Sequence, residues 1–187
     1  MKILLASASP RRQELIKLIS DEVRVRPADC DETLPAGIIG GEQAVRYLSA
    51  LKGAAVKEYA EKDEVVISAD TVVCLEDKIL GKPHGEAEAF DMLKMLSGKT
   101  HTVYTGVSLF YNGEELTFSI GSDVTFFELT DKEIEEYIAT GEPFDKAGAY
   151  GIQGRGSLLV EKISGDYFNV VGLPVSALNK KLNEFIK

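Results

Sequence analysis

The sequence is poor in the residues that build cross-linked or histidine-based sites. It has no tryptophan, two cysteines (Cys30 and Cys74) and two histidines (His84 and His101). Two cysteines without a CxxC spacing exclude a disulfide framework and a cysteine zinc site, and they indicate a reducing compartment. The histidines stand in no HExxH pattern, so a histidine metal site or catalytic triad finds no support, and we expect structural roles for them.

Long apolar runs and excess positive charge are also missing. No stretch approaches the length of a membrane span, and the N-terminal apolar stretch is too short for a signal peptide, so we expect a cytoplasmic protein. The net charge of −9 disfavours broad binding to nucleic acid or anionic membranes. A compact triphosphate needs only a few cations and a metal, and therefore stays open as a partner.

The 187 residues, 44% of them hydrophobic, fit one domain over residues 1–187 that a cleft can divide into two lobes. The apolar patterns predict an α/β domain with a mixed sheet. We expect strands at 2–6, 23–25, 64–75, in a hairpin around Asn112-Gly113 and near 168–171. We expect helices from Pro10, over 42–60 and 86–96, from a Thr130/Glu133 capping box, and after Pro174. The glycine-rich segment 145–156 is expected to be a loop.

One candidate anion site lies between the first strand and the first helix, at Ser7-Ala8-Ser9-Pro10-Arg11-Arg12. Free backbone N–H groups at a helix start, two hydroxyls and two forked guanidinium groups suit a triphosphate. The same residues also suit a serine N-cap, a proline at the first helical position and a solvated arginine pair. The GxxxxGK[ST] pattern of a P-loop is absent.

Asp70 interrupts the most β-branched stretch of the chain, EVVISADTVVCL. An ionised carboxylate inside an apolar strand is costly unless it meets a cation or a hydrogen-bond network. Asp70 and Glu32 are candidate ligands for a divalent metal such as Mg or Mn, and Asp70 is a candidate base for an attacking water. The structural alternative is an aspartate that caps a turn or pairs with Lys82.

Three further residues are site candidates only because the residues above accompany them in the sequence. Lys52 lies near the edge of the long helix's apolar stripe, and Lys82 lies in a Gly-Lys-Pro loop; each can contact a phosphate or be a solvated surface lysine. Gln153 lies in the glycine-rich loop, where its amide has the donor and acceptor needed to read an imide such as uracil's, or is an ordinary loop amide.

These residues together resemble the Maf proteins, a family of nucleoside triphosphate pyrophosphatases. The resemblance spans essentially the whole chain and is carried by several motifs: SASPRR at 7–12, DE at 31–32, Lys52, ADT at 69–71, GKP at 81–83, LSG at 96–98, DKAGAYGIQG at 145–154 and VGLP at 171–174. One departure is Ser68, which stands where the family commonly has glycine before ADT.

The resemblance implies an elongated mixed sheet around a deep cleft, similar to the inosine triphosphate pyrophosphatases, and often a homodimer. It implies cleavage between the α and β phosphates with Mg or Mn. By position, Asp70 resembles the family's proton acceptor, and Glu32, Lys52 and Lys82 resemble its metal and phosphate contacts. Arg11, Thr71 and Gln153 match its specificity positions.

The specificity positions also indicate a branch of the family. SPRR, ADT and IQG resemble the branch acting on dTTP and UTP, whereas the branch preferring 7-methyl-GTP has SPWR, SDQ and SEG. Related chains have been linked to septum formation and division arrest. Our hypothesis is therefore hydrolysis of dTTP and UTP, with modified pyrimidine triphosphates as further candidates.

Two other functions stay open. The first is a nucleotide-responsive binding protein with little turnover, and the second is a phosphohydrolase that releases orthophosphate instead of pyrophosphate.

Overall fold

The computed structural model describes all 187 residues as one seven-stranded mixed sheet flanked by helices. The strands are ordered β2-β1-β3-β5-β6-β7, and β4 pairs with β3 beside this path. The elements, in chain order, are β1 Lys2–Leu5, α1 Pro10–Ile16, β2 Val23–Val25, α2 Gly40–Ala54, β3 Glu64–Leu75, β4 Lys78–Leu80, α3 Glu86–Leu96, β5 Thr100–Tyr111, β6 Glu114–Phe126, α4 Asp131–Ile138, β7 Val160–Ser164, α5 Tyr167–Val171 and α6 Val175–Phe185.

The central strand β3 has a gap along one of its edges. On that edge, its first residues pair with β1, as far as Ile67, and its last residues pair with β4, from Val73 onward. Its other edge pairs continuously with β5 from Val66 to Cys74. Residues 68–72 therefore have a strand neighbour on one side only, and the chain leaves room for a cleft at the carboxyl end of β1.

The two faces of β3 bury different surroundings because successive side chains alternate. Asp70 shares its face with Val66 and Val72, which pack in clusters on the same side as α2. Thr71 shares the opposite face with Ala69 and Val73. Those two belong to separate clusters of sixteen buried residues, so Thr71 lies where one apolar cluster gives way to the other.

Glycine lets α2 pack directly on the sheet. A Cβ at Gly106, the β5 partner of Asp70, would lie 2.2 Å from the Val45 carbonyl oxygen of α2. A Cβ at Gly53 of α2 would lie 2.1 Å from the Phe110 ring and 2.7 Å from Ser68 Oγ. These two close approaches fix the distance between α2 and β3 and thereby the reach of any α2 side chain toward Asp70.

Most of the predicted elements are confirmed, several with the expected bounds. β3 covers 64–75, α3 covers 86–96, and β5 and β6 form the hairpin, with Asn112 and Gly113 both at positive φ (50° and 86°). The Thr130/Glu133 capping box is present in both directions. None of the helices is long and apolar enough to cross a membrane.

Other predictions are wrong in detail. The expected strand near 168–171 is helix α5, because Asp166 caps its N-terminus through Phe168 N and Gly172 ends it at a φ of 122°. The short strands β4 and β7 were not predicted. The long helix ends at Ala54, before a separate 3₁₀ turn at Lys57–Tyr59, instead of running to residue 60. Helix α1 ends at Ile16, and Leu18 beyond it is 69% exposed.

The glycine-rich segment is more ordered than a plain loop. The segment and the residues that flank it contain 3₁₀ turns at Glu142–Asp145, Ala147–Ala149 and Gly154–Leu159. Gly148 has a φ of 68°, and a Cβ there would lie 2.9 Å from the Val73 side chain. The glycines thus permit both the left-handed turn and the close approach of this segment to β3.

Replacing Gly106 with alanine is expected to destabilise the fold, because the new methyl group meets the α2 backbone instead of a flexible side chain. We expect the free energy of unfolding in urea to fall by about 3 kcal/mol. The control is Gly81→Ala, since nothing lies within 4 Å of a Cβ at Gly81. Equal stability of the two variants would contradict the close packing of α2 on β5.

His101 is expected to make stability depend on pH. It is 2% exposed, its Nε2 lies 2.7 Å from Tyr150 Oη, and burial lowers its pKa from 6.5 to about 4 despite the nearby charge of Asp123. Because the folded pKa is lowered, this contribution is complete above pH 6.5 and is lost as the pH falls toward 4.

The measurement is urea unfolding at several pH values across this range. The slope of unfolding free energy against pH should approach about 1.4 kcal/mol per pH unit and should be smaller in His101→Gln. The exposed His84 supplies the control variant His84→Gln, which should keep the wild-type slope. An unchanged slope in His101→Gln would contradict the assignment.

Candidate active site

A cleft of about 630 Å³ opens at the gap in the sheet. Its walls come from the β1–α1 segment, the middle of β3, the loop after β4, residues 142–154 and the end of α5. All nine residues singled out in the sequence line this one cleft: Ser7, Arg11, Arg12, Glu32, Lys52, Asp70, Thr71, Lys82 and Gln153. The fold therefore brings together residues that are spread along the chain from position 7 to position 153.

Asp70 is paired with Lys52 on the α2 side of the sheet. Lys52 Nζ donates to Asp70 Oδ1 at 2.6 Å and lies 2.8 Å from Glu32 Oε2. The Asp70 side chain is 11% exposed, whereas that of Glu32 is 51% exposed. Burial alone lowers the pKa of Lys52, but the charges and hydrogen bonds of Asp70 and Glu32 raise it above its ordinary value overall. The expected alternative, a pair between Asp70 and Lys82, does not form.

The two carboxylates suit a divalent metal only with help from a ligand. No three histidine, cysteine, aspartate or glutamate side chains are grouped closely enough to hold a metal ion by themselves. Asp70 Oδ2 and Glu32 Oε1 accept no hydrogen bond from the protein, so each retains free lone pairs. Mg²⁺ is commonly held by one or two carboxylates with phosphate oxygens and waters, and this donor set fits that pattern.

The β1–α1 segment combines both interpretations made from the sequence. Ser9 is the N-cap of α1, accepting from Arg12 N, and Pro10 occupies the first turn, as the structural alternative requires. Arg12 is nevertheless not a solvated surface residue. Its guanidinium turns inward and lines the cleft.

Three protein oxygens hold the Arg12 guanidinium. Nε donates to Gly172 O at 2.8 Å, Nη1 donates to Ala69 O at 2.8 Å, and Nη2 donates to Thr71 Oγ1 at 2.9 Å. The Ala69 carbonyl belongs to the stretch of β3 that lacks a strand neighbour, so Arg12 satisfies it in place of a strand. Burial lowers the pKa of Arg12, and Arg11 lowers it further, against the raising effects of Asp70 and Glu32.

Arg11 faces the glycine-rich segment across the cleft. Its Nη1 lies 3.3 Å from Asp145 Oδ2, and Lys146 Nζ donates to Asp145 Oδ1 at 2.7 Å. Burial alone raises the pKa of Asp145, but the hydrogen bond and charge of Lys146, followed by those of Arg11, lower it overall. Lys146 also donates to the Glu142 carbonyl oxygen.

Lys82 and Gln153 are exposed and make no side-chain hydrogen bond with the protein. Their polar groups are thus free to meet a ligand in the cleft. Ser68, which stands where the family commonly has glycine, is accommodated by its neighbours. Its hydroxyl is fully buried and donates to Ser49 O at 2.6 Å, and Gly53 leaves space beside it.

Sequence reasoning gave no site role to three cleft residues that lie in the glycine-rich segment or just before it. Lys146 is a further cationic side chain in the cleft, and Asp145 is its partner. Glu142 accepts hydrogen bonds from Arg155 N and Gly156 N and so holds the end of the segment in place. Asp145 and Lys146 begin the motif DKAGAYGIQG that carries the family resemblance, whereas the only signal for Glu142 was its position shortly before the glycines, which does not distinguish a cleft residue from a surface one.

The chain matches known proteins over almost its entire length. The sequence profile of the Maf-like protein family matches residues 2–185. A dTTP/UTP pyrophosphatase of Bacillus cereus (strain AH187) is 50% identical over 184 residues, covering 98% of this chain and 95% of that protein. A dTTP/UTP pyrophosphatase of Bacillus thuringiensis subsp. konkukian (strain 97-27) is 48% identical over 184 residues and also covers 98% of this chain and 95% of that protein.

Solved structures support the fold. The Staphylococcus aureus Ham1 protein matches with a TM-score of 0.58 at 16% identity, covering 99% of this chain and 100% of that one. A HAM1 protein from Coxiella burnetii matches with a TM-score of 0.52 at 14% identity, covering 98% and 99%. The predicted α/β class with a mixed sheet is confirmed, and from the full-length profile match and these relatives we conclude that the chain belongs to the Maf-like protein family.

Proposed function

We propose that this chain hydrolyses dTTP and UTP to the nucleoside monophosphate and pyrophosphate. The observation that carries the proposal is the buried Asp70 carboxylate, which opens into a cleft that also contains five cationic side chains. Its relatives at about half identity are named dTTP/UTP pyrophosphatases, which supports the same reaction.

The cationic side chains divide into two sets by their partners. Arg12 and Lys52 are held by protein oxygens, so their positions are fixed before a ligand enters. Lys82 has no protein partner, whereas Arg11 and Lys146 share Asp145, a partner that phosphate oxygens can replace. We assign the first set to orienting the reacting groups and the second to binding the pyrophosphate portion, where charge develops as it leaves.

Asp70 supplies the base. Its Oδ1 is occupied by Lys52, which leaves Oδ2 to accept a proton from water. The water oxygen bonds to the α phosphorus while the bond from that phosphorus to the α–β bridging oxygen breaks, and pyrophosphate leaves. Bound to Asp70 and Glu32, Mg or Mn would neutralise phosphate oxygens. Lys52 keeps the carboxylate oriented throughout.

Arg11, Thr71 and Gln153 match the family's specificity positions, and of these we assign the reading of the base to Gln153. Gln153 is exposed at the cleft wall, and its amide can donate to a carbonyl oxygen and accept from the N–H of a uracil or thymine ring. A cytoplasmic location, a homodimer and a link to septum formation, expected from the sequence and the family resemblance, stay predictions.

Replacing Asp70 with asparagine is expected to lower pyrophosphate release by about 10²- to 10⁴-fold, because the amide cannot accept the proton from water. The fold should persist, since Lys52 retains Glu32 as a partner. Enzyme-coupled pyrophosphate detection with dTTP and Mg or Mn measures the effect, and circular dichroism checks the fold.

The control is Asp77→Asn, in the exposed turn between β3 and β4, which should keep wild-type turnover. Near-normal turnover in Asp70→Asn would refute the role of Asp70. Tight nucleotide binding by the wild type without turnover would instead favour a regulatory binding protein, and orthophosphate as the product would favour a phosphohydrolase.

Replacing Gln153 with glutamate is expected to reduce kcat/KM for dTTP and UTP by about 10- to 100-fold, because a carboxylate offers no donor to an imide carbonyl. A panel of triphosphates that includes 7-methyl-GTP measures the effect. Gln43→Glu is the matched control: Gln43 accepts from Ile39 N outside the cleft, and a glutamate keeps that acceptor. Wild-type activity on 7-methyl-GTP with none on dTTP or UTP would overturn the proposed substrates.

A further inference from the structure

A chain of hydrogen bonds runs from the cleft into the core behind it. Arg12 Nη2 bonds to Thr71 Oγ1 at 2.9 Å, Thr71 Oγ1 lies 2.9 Å from Thr105 Oγ1, and Thr105 Oγ1 bonds to Asn169 O at 2.9 Å. Arg12 and Thr71 line the cleft, whereas Thr105 and Asn169 are fully buried and do not. Neither Thr105 nor Asn169 can touch a ligand in the cleft.

The direction of every bond in this chain follows from its two ends. A carbonyl oxygen only accepts, so Thr105 must donate its single hydroxyl hydrogen to Asn169 O. Thr105 Oγ1 can then only accept in its bond with Thr71, so Thr71 donates its own hydroxyl hydrogen to Thr105 Oγ1. The lone pairs of Thr71 are left for Arg12, which only donates.

Thr71 therefore presents no hydrogen-bond donor to the cleft. Through its hydroxyl it can act on a ligand only as an acceptor or by holding Arg12. Thr105, the β5 partner of Thr71, enforces this, because any rotation of the Thr71 hydroxyl hydrogen toward the cleft would leave a buried acceptor on Thr105 without a partner.

The hydrogen bonds that hold Arg12 also determine which of its N–H groups are available to a ligand. A guanidinium has five N–H groups, and Gly172 O, Ala69 O and Thr71 Oγ1 take three of them. Two remain, one on each terminal nitrogen, and both are available to phosphate oxygens. Two of the three acceptors are backbone carbonyls, and Thr71 is the one side chain among them.

We propose that Thr105 is a positioning residue for phosphate binding: by accepting the Thr71 hydroxyl hydrogen, it orients Thr71 to hold Arg12 with two N–H groups directed at the phosphates. The inference rests on the proposed function, because it takes a polyphosphate as the ligand of Arg12. It extends that function to a buried residue that contacts no substrate.

The test measures binding of inorganic tripolyphosphate by titration calorimetry, together with KM and kcat for dTTP. Thr105→Val removes the hydroxyl at constant shape, and we expect Kd and KM to rise about tenfold while kcat changes less than KM. Thr105→Ser keeps the hydroxyl and should remain within about twofold of the wild type. Thr102→Val is the matched control, because Thr102 lies on the same strand and bonds to Asp123 outside the cleft.

A double-mutant cycle separates positioning from a general loss of structure. If Thr105 acts through Thr71, Thr105→Val should cause no further loss of tripolyphosphate binding when Thr71 is already valine. Additive losses, or wild-type binding by Thr105→Val, would overturn the proposal. Should Thr105→Val fail to fold, Thr105→Cys replaces it, because a thiol is a weaker donor and acceptor and should weaken binding in the same direction.

The binding measurement also keeps this inference apart from the proposed function. A wild-type chain that binds tripolyphosphate but releases no pyrophosphate from any triphosphate would refute the hydrolysis, while the cycle would still decide the role of Thr105. Wild-type protein that releases pyrophosphate from dTTP but does not bind tripolyphosphate would overturn this inference and leave the hydrolysis standing.

Discussion

The cleft depends on one ion pair, between the Asp70 carboxylate and the Lys52 ammonium. A carboxylate with 11% of its side chain exposed in a central strand needs a compensating cation, and Lys52 supplies it at 2.6 Å. That contact requires α2 to lie close to the sheet, which Gly106 and Gly53 permit by leaving no side chain between them. The ion pair at the site therefore depends on the close packing of α2 that these glycines permit.

The cleft exists because β3 has a strand neighbour on only one side over residues 68–72. Backbone groups left open in this way need other partners. Arg12 meets the Ala69 carbonyl from the β1–α1 segment and is held in turn by Gly172 and Thr71. Elements from the first, middle and last parts of the chain are joined at this point, and the guanidinium that completes the sheet edge also faces the cleft.

The charges in the cleft compensate one another in two opposite arrangements. On one side a cation, Lys52, lies between the carboxylates of Asp70 and Glu32. On the other side a carboxylate, Asp145, lies between the cations Arg11 and Lys146. A metal–triphosphate complex carries both kinds of charge, so its metal would meet the carboxylates of Asp70 and Glu32 while its phosphates would meet Arg11 and Lys146.

The sequence by itself determined most of the elements and nine of the residues that line the cleft. Asp70 was identified because a charge in a β-branched run is costly, and the capping box and the Asn112-Gly113 turn are local signals that need no tertiary context. Helix α5 was mistaken for a strand because Val170 and Val171 favour strands, while its caps are single residues. Only the tertiary structure decided that Lys52 and not Lys82 pairs with Asp70, that Arg12 turns inward, and that Thr105 stands behind Thr71. Those partners are far apart in the chain, and their contacts follow from strand register and the packing of α2, which no local pattern records.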